Sequence, residues 1–564
     1  MKIQIEAIDW VIIGIYLVAL VTIGIVAARK VKNTSHYFLG GRRFGKLLMI
    51  AQSFGVGTHA DMPVSLAGAV YTTGISAIWY QWKNLFAMPF YWIMAPVLRR
   101  VRRTTVAEMM EDRFGAGMSG LYIVFAFIFF VINIASILKG AAKVLNEVLG
   151  GGFEVNHLVL GLAAIFILYS FIGGLVASVW TDLIQGTLII VLSFLLIPLG
   201  WSFVGGFHGI KATLPASKWS LAAPGEIGPW LILMLTVNGL IGIMAQPHIM
   251  AVVSTGKDER ACRVGFFNGT LVKRICTVGW AFVGLMVAAM IARNTFGVNS
   301  LADPEDAFGF ACRHLLSPGL RGLLIASVVG ASLASCSALM VDSGALLTQG
   351  LYRVRMAPGR SDRHYLWVGR ISGFAVVVLA IIYALFFVQR VLHSFLLTET
   401  LSTYIGISIV VGLAWRRANR WGAAVSVVGA LAVNFSLYYL MNRRLDYWDP
   451  NVFLASLAAG FFSIVFVSRF TRPEPARSTR DFFERLDTSS DGHNAESSDG
   501  GSSAQIEDSA KSGRQLIVPN LLHLRRGANG HSLWTAYHED FKGLVICLVA
   551  TMSLVIGLWL LLQL

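Results

Sequence analysis

Charged side chains are scarce in this chain. Asp, Glu, Lys and Arg supply 14% of the 564 residues, against 55% for the hydrophobic types, and the mean hydropathy is +0.66. That scarcity excludes an ordinary soluble domain, because the apolar residues arrive in runs longer than a soluble core needs. Cysteine is scarce too. Cys262, Cys276, Cys312, Cys336 and Cys547 form no CxxC pair and no metal-ligand spacing, so a zinc site or a disulfide framework is not expected and the thiols read as structural. Catalytic signatures are missing as well. No GxSxG, HExxH, Walker A or GxGxxG stands in a supporting context, and Thr58-His59-Ala60-Asp61 has neither the order nor the spacing of a hydrolase triad. An enzyme is not expected.

What is present is an all-α polytopic membrane pattern of about fourteen apolar segments near bilayer length. Those the argument uses are Trp10 to Ala28, Leu47 to Tyr71, Ile75 to Leu98, Leu158 to Gly174, Val179 to Trp201, Trp230 to Val253, Phe266 to Ala292, Leu320 to Leu351, Val391 to Trp415 and Leu544 to Leu564. The formal charge of +15 falls mainly in alternate loops, which points to membrane topology and away from nucleic acid. Basic loops stay cytoplasmic, so both termini are expected outside in an integral cell-membrane protein. No cleavable signal is evident, and the first segment reads as a retained helix. Residues 1–468 are expected to hold helices 1 to 13, and 543–564 the last helix. Between them, 469–542 turns to Ser, Gly, Asp and Asn. It reads as a disordered cytoplasmic linker, with any protein partner unidentified.

The second segment contains "SFGVGTHADMP" (53–63), with two glycines, a proline, Thr58, His59 and Asp61. The seventh carries "TVNGLIGIMAQPHI", with Asn238, Gly239, Gly242, Gln246, Pro247 and His248. Helices two to six and seven to eleven then form a five-plus-five inverted repeat over about 47–415, whose two first helices are broken. Such a break frees carbonyls for a cation and aims half-helix ends at a polar solute. It is tolerated only where protein or a wet cavity covers it. In the ninth segment Ser332, Ser335 and Cys336 share one helical face, which supplies hard oxygen ligands or merely permits close helix packing. Asp61, ionisable at mid-span, calls for a partner, with Lys273 and Arg274 as candidates. Asp182 reads as a helix N-cap or as a residue beside a cation.

These residues resemble the sodium:solute symporter family, whose fold is of the leucine-transporter type. The likeness rests on "YFLGGRRFGKLLMIAQSFG" with "LAGAVYTTGISAIWYQW", on "GGLVASVWTDLIQG" and "AQPHIM", and on "DFFERLDT", and spans roughly Asp9 to Thr488. The resemblance implies a sodium site built from the carbonyls of Gly55 and Thr58 and the side chains of Ser332, Ser335 and Cys336, with Asp182 near the ion exit path. Cys336 departs from the family's hydroxyl, and a thiol is a soft ligand for sodium. The resemblance places the solute against Asp61, Met62, Gln81, Asn84, Asn238 and Lys273. It implies a symporter in a lipid bilayer that couples sodium entry to uptake of a small polar organic solute: an amino acid, sugar or carboxylate. Two alternatives share the fold: a proton-coupled or uncoupled transporter, and a transport-deficient solute sensor.

Overall fold

The computed structural model describes residues 5–28, 42, 44–223, 225–444, 447–488, 516–521 and 537–563. These residues are predominantly helical. In order, the principal helices are α1 (Ala7–Ala28), α2 (Lys46–Gly55), α3 (Asp61–Thr73), α4 (Met88–Val101), α5 (Val106–Phe114), α6 (Ala116–Val148), α7 (Val155–Val204), α8 (Pro229–Gly242), α9 (Pro247–Ser254) and α10 (Glu259–Ala292). There follow α11 (Ala307–Leu315), α12 (Leu320–Leu347), α13 (Asp362–Phe386), α14 (Val391–Ala414), α15 (Arg420–Leu440), α16 (Pro450–Phe470), α17 (Ala476–Asp487) and α18 (His538–Gln563). Among the described residues eight helices are long and apolar enough to cross a membrane, or nine when the bent pair α8 and α9 counts as one.

Both anticipated breaks occur. The second segment divides into α2 and α3 around Val56–Ala60. Pro63 lacks the N–H that would reach back to the carbonyl of His59, and that carbonyl takes the Met62 N–H instead, at 3.1 Å. In the seventh segment α8 tightens into a 3₁₀ turn, Ile243–Ala245, before α9 starts at Pro247 with a 58° bend. Proline forces the preceding residue out of the helical region, and Gln246 is extended at ψ 123°. Tyr122 on α6 donates its hydroxyl to the carbonyl of Ala245 at 2.8 Å, so this buried break is satisfied by protein rather than exposed to lipid.

Helix α10 holds the first break together by packing along both of its halves. Its glycines allow this: a Cβ on Gly269 would lie 2.7 Å from the carbonyl of Ile50, and one on Gly284 2.6 Å from that of Ala67. Small residues of this kind let membrane helices approach backbone to backbone. Helix α12 packs against α1, α6 and α7. The Asp9 carboxylate of α1 accepts from the N–H groups of Gly319 (2.7 Å) and Gly322 (2.8 Å), which caps the positive end of α12.

Three elements differ from expectation. The span expected over Ile75 to Leu98 is itself interrupted: short helices end at Trp82, a turn covers 83–87, and α4 starts with Pro89 in its first turn. The segments expected at Leu158 to Gly174 and Val179 to Trp201 form one helix of 50 residues, α7. At 1.5 Å per residue it is about 75 Å long, more than a bilayer's thickness. Within 469–542, read from composition as disordered, residues Ala476–Asp487 form α17. Its Phe482, Phe483 and Leu486 share one buried stripe, and that apolar face outweighs the polar average of the segment. Residues 489–515 and 522–536 of that linker lie outside the described residues.

Candidate functional site

The two breaks face one another across a cavity of about 70 Å³. It is lined by His59 and Met62 from the first break, Gln246 and His248 from the second, Asn84 from the interrupted third span, and Lys273 from α10. At this size it holds a few waters, and binding of a larger solute requires the breaks to part. The walls and the residues near them in sequence are unusually polar for their depth: of the groups named next, Tyr91, Asn84, Gln246, His248 and Arg274 line the cavity. The hydroxyls of Thr58 and Tyr91, both amide atoms of Gln81, Asn84 Oδ1, Asn238 Nδ2, Gln246 Nε2, His248 Nδ1 and Arg274 Nε are buried and find no hydrogen-bond partner among the described residues. Buried polar groups are ordinarily satisfied, so such a concentration marks a place where a ligand or ordered water completes the bonding.

Of the six expected solute residues, Met62, Asn84 and Lys273 line the cavity directly. Gln81 is buried beside them, with its carbonyl engaged by the Arg274 guanidinium. Asn238 is hydrogen-bonded to the hydroxyl of Thr403, which also donates to the Asn238 carbonyl at 2.9 Å. Asp61 pairs with the His59 ring, which corrects the expectation that Lys273 or Arg274 would be its partner. The start of α3 is held against α6 at Gly140, where a Cβ would lie 2.6 Å from Asp61 Cα. Only glycine permits that approach.

Of the expected ion ligands, Ser335 and Gly55 meet directly. Ser335 donates to the carbonyl of Gly55 at 3.4 Å, linking α12 to the end of α2. Ser332 donates to the carbonyl of Val328 on its own helix at 2.8 Å. A hydroxyl that gives its proton to a carbonyl still presents oxygen lone pairs to a cation. The buried, unpartnered hydroxyl of Thr58 adds a third oxygen. Cys336 is fully buried, with its thiol free. Hydroxyl and carbonyl oxygens of this kind are the hard ligands a monovalent ion prefers, and the Cys336 thiol is a soft one. Asp182 lies on α7, but its side chain is outside the described residues.

Sequence reasoning missed the ion pair at the centre of the site. Lys83 Nζ lies 3.5 Å from Glu399 Oε2, both side chains are almost wholly buried, and the ammonium sits 4.0 Å from the centre of the Phe395 ring. The signal was available. Each is a lone ionisable group inside an apolar span, as Asp61 is, and such a group marks a functional site by default.

A sodium:solute symporter family model matches residues 37–429, which include both breaks, the cavity and the ion pair. The chain belongs to the sodium:solute symporter family. Among the relatives of this symporter, the osmoregulated proline transporter OpuE of Bacillus subtilis is 26% identical over 488 residues, covering 84% of this chain and 96% of that one. A sodium/proline symporter of Haemophilus influenzae is 27% identical over 485 residues, covering 82% and 94%. In fold, the symporter resembles a sodium-coupled sialic acid symporter solved substrate-bound and outward-open, with a TM-score of 0.71, 18% identity and coverage of 83% and 98%. The family and these relatives are transporters, not enzymes.

Proposed function

We propose that this protein is a secondary active symporter that couples sodium entry to uptake of a small polar organic solute by alternating access. The carrying observation is the pair of broken helices meeting at a cavity with buried, unpartnered polar groups. In this reading sodium binds between the first break and α12, with Gly55, Thr58, Ser332 and Ser335 as oxygen ligands and Cys336 at their edge. Asp182 lies along its exit path. The solute binds beside it, against Met62, Asn84 and Lys273, with Asp61, Gln81 and Asn238 in support. Because Gly55 ends α2 and His59 and Met62 line the cavity, an ion that orders this stretch also pre-forms the solute pocket. Each ligand then raises the other's affinity through their shared preference for one conformation.

The reading includes the fourteen-helix form, the five-plus-five repeat, and both termini outside, which places 469–542 in the cytoplasm. Relatives named as proline transporters favour a small solute. The test is reconstitution of the full chain in liposomes, with currents recorded under an inward sodium gradient for panels of amino acids, sugars and carboxylates. A sodium-dependent current with one class supports the reading. Solute binding without flux points to a sensor, and a current driven by a pH gradient without sodium points to proton coupling.

A further inference from the structure

The charges around the cavity do not cancel. Lys83, Lys273 and Arg274 stand within electrostatic range of one another and of Asp61 and Glu399, three cations against two carboxylates. Glu399 stands across from Lys83 at 3.5 Å, its Oε2 without a hydrogen-bond partner among the described residues, and Asp61 meets the His59 ring. No carboxylate stands at ion-pair distance from Lys273 or Arg274 among the described residues. Arg274 spends one N–H on the Gln81 carbonyl and leaves its Nε unpartnered. Lys273 lines the cavity beside Gly57, whose Cβ position is 3.2 Å from the ammonium. A buried ammonium without a counter-charge is costly, and it keeps its charge only where a ligand supplies the missing partner.

From this imbalance, and resting on the symporter reading above, we infer that the solute is a small organic monoanion. Its carboxylate pairs with Lys273, and it carries no ammonium of its own. An anion answers the surplus cation. A zwitterionic amino acid brings a positive group that would have to compete with Lys83 for Glu399, and leaves the imbalance as it was. The bound sodium adds a further positive charge and sharpens the same preference. The inference separates this chain from its proline-transporting relatives by charge class rather than by shape.

The test uses three matched pairs that differ by the α-nitrogen: acetate with glycine, propionate with L-alanine, and cyclopentanecarboxylate with L-proline, in which a ring nitrogen takes the place of a methylene. Each is titrated against the purified full-length protein in sodium chloride and in choline chloride, with the thermal unfolding midpoint as readout. In every pair that binds, the anion is expected to bind about tenfold or more tightly, and only in sodium; that factor is what one uncompensated charge-assisted hydrogen bond supplies. Lys273→Met removes anion binding but keeps the shift produced by sodium alone, whereas Lys273→Arg restores part of the anion affinity. The inference is overturned if an amino acid equals or exceeds its anion, if none of the anions binds, or if Lys273→Met binds them unchanged. Failure of the symporter reading has a different signature: sodium alone gives no shift beyond choline, and no solute is driven by a sodium gradient.

Discussion

Replacing one partner of the Lys83–Glu399 pair tests the buried electrostatics of the site. At 3.5 Å, with an effective dielectric constant near 20, the attraction is about 5 kcal/mol. Removing two ions from water costs several kcal/mol each, so the intact pair contributes little net stability, whereas removing one partner costs about 3–5 kcal/mol. Lys83→Met leaves Glu399 uncompensated with no opposing charge closer than Lys273 or Arg274. Glu399→Gln leaves the Lys83 ammonium on the Phe395 ring alone, a contact of about 2 kcal/mol when desolvated. Unfolding by graded sodium dodecyl sulfate in mixed micelles, on wild type, both single variants and the double variant, gives the four corners of a cycle. The expected result is that each single variant loses about 3–5 kcal/mol and that the double variant loses far less than their sum. Single variants within about 0.5 kcal/mol of wild type, or a strictly additive double, would refute the claim that the two charges compensate one another in the folded state.

Other substitutions address the remaining contacts. Ser335→Ala should abolish the sodium-specific rise in unfolding midpoint while leaving the midpoint in choline nearly unchanged. Cys336→Ser puts a hard hydroxyl in place of a soft thiol, so half-saturation of the midpoint shift should occur at several-fold lower sodium; an unchanged or higher value would place Cys336 away from the ion. Gly140→Ala pushes a methyl onto the backbone of Asp61 and should depress sodium-driven uptake by more than an order of magnitude, measured per folded transporter in liposomes. Burial, reinforced by Asp303, Glu147 and Glu305 against the relief of Lys143, raises the Asp306 carboxyl to about 6. The folded state therefore holds this proton more tightly than the unfolded chain, and the stability it lends at acid pH is lost as pH rises from about 4 through 6. Asp306→Asn should accordingly be more stable than wild type at pH 7.5 and no more stable at pH 4, by thermal unfolding. Phe483→Ala removes the ring lying under the Arg113 and Arg416 guanidinium groups and should cost about 3–5 kcal/mol, read as a lower unfolding midpoint and faster proteolysis near α17.

Which parts of this architecture were legible in the sequence follows from the range over which each signal acts. Proline and glycine act on their own backbone, so Pro63 and Pro247 announced both breaks. The same logic applied to Pro89 would have revealed the third interruption, had the apolar run around it not read as one span. Helix α17 was hidden because a segment average dilutes three residues, Phe482, Phe483 and Leu486, that act together only once the segment coils. The site divides the same way. Ser332, Ser335 and Cys336 lie on one helical face that spacing alone can show, and their neighbours Gly55 and Thr58 followed from family resemblance. The partner of Asp61 is a matter of tertiary distance: Lys273 and Arg274 are the right chemistry at the right depth, but His59, two residues away, reaches first. The pairing of Lys83 with Glu399, 316 positions apart, depends on how α14 packs beside the interrupted third span. Each residue announced itself as an ionisable group in an apolar run, but only the fold shows that they claim one another, and that Lys273 is thereby left without a carboxylate. The charge imbalance that distinguishes an anionic from a zwitterionic solute is therefore a property of the assembled site.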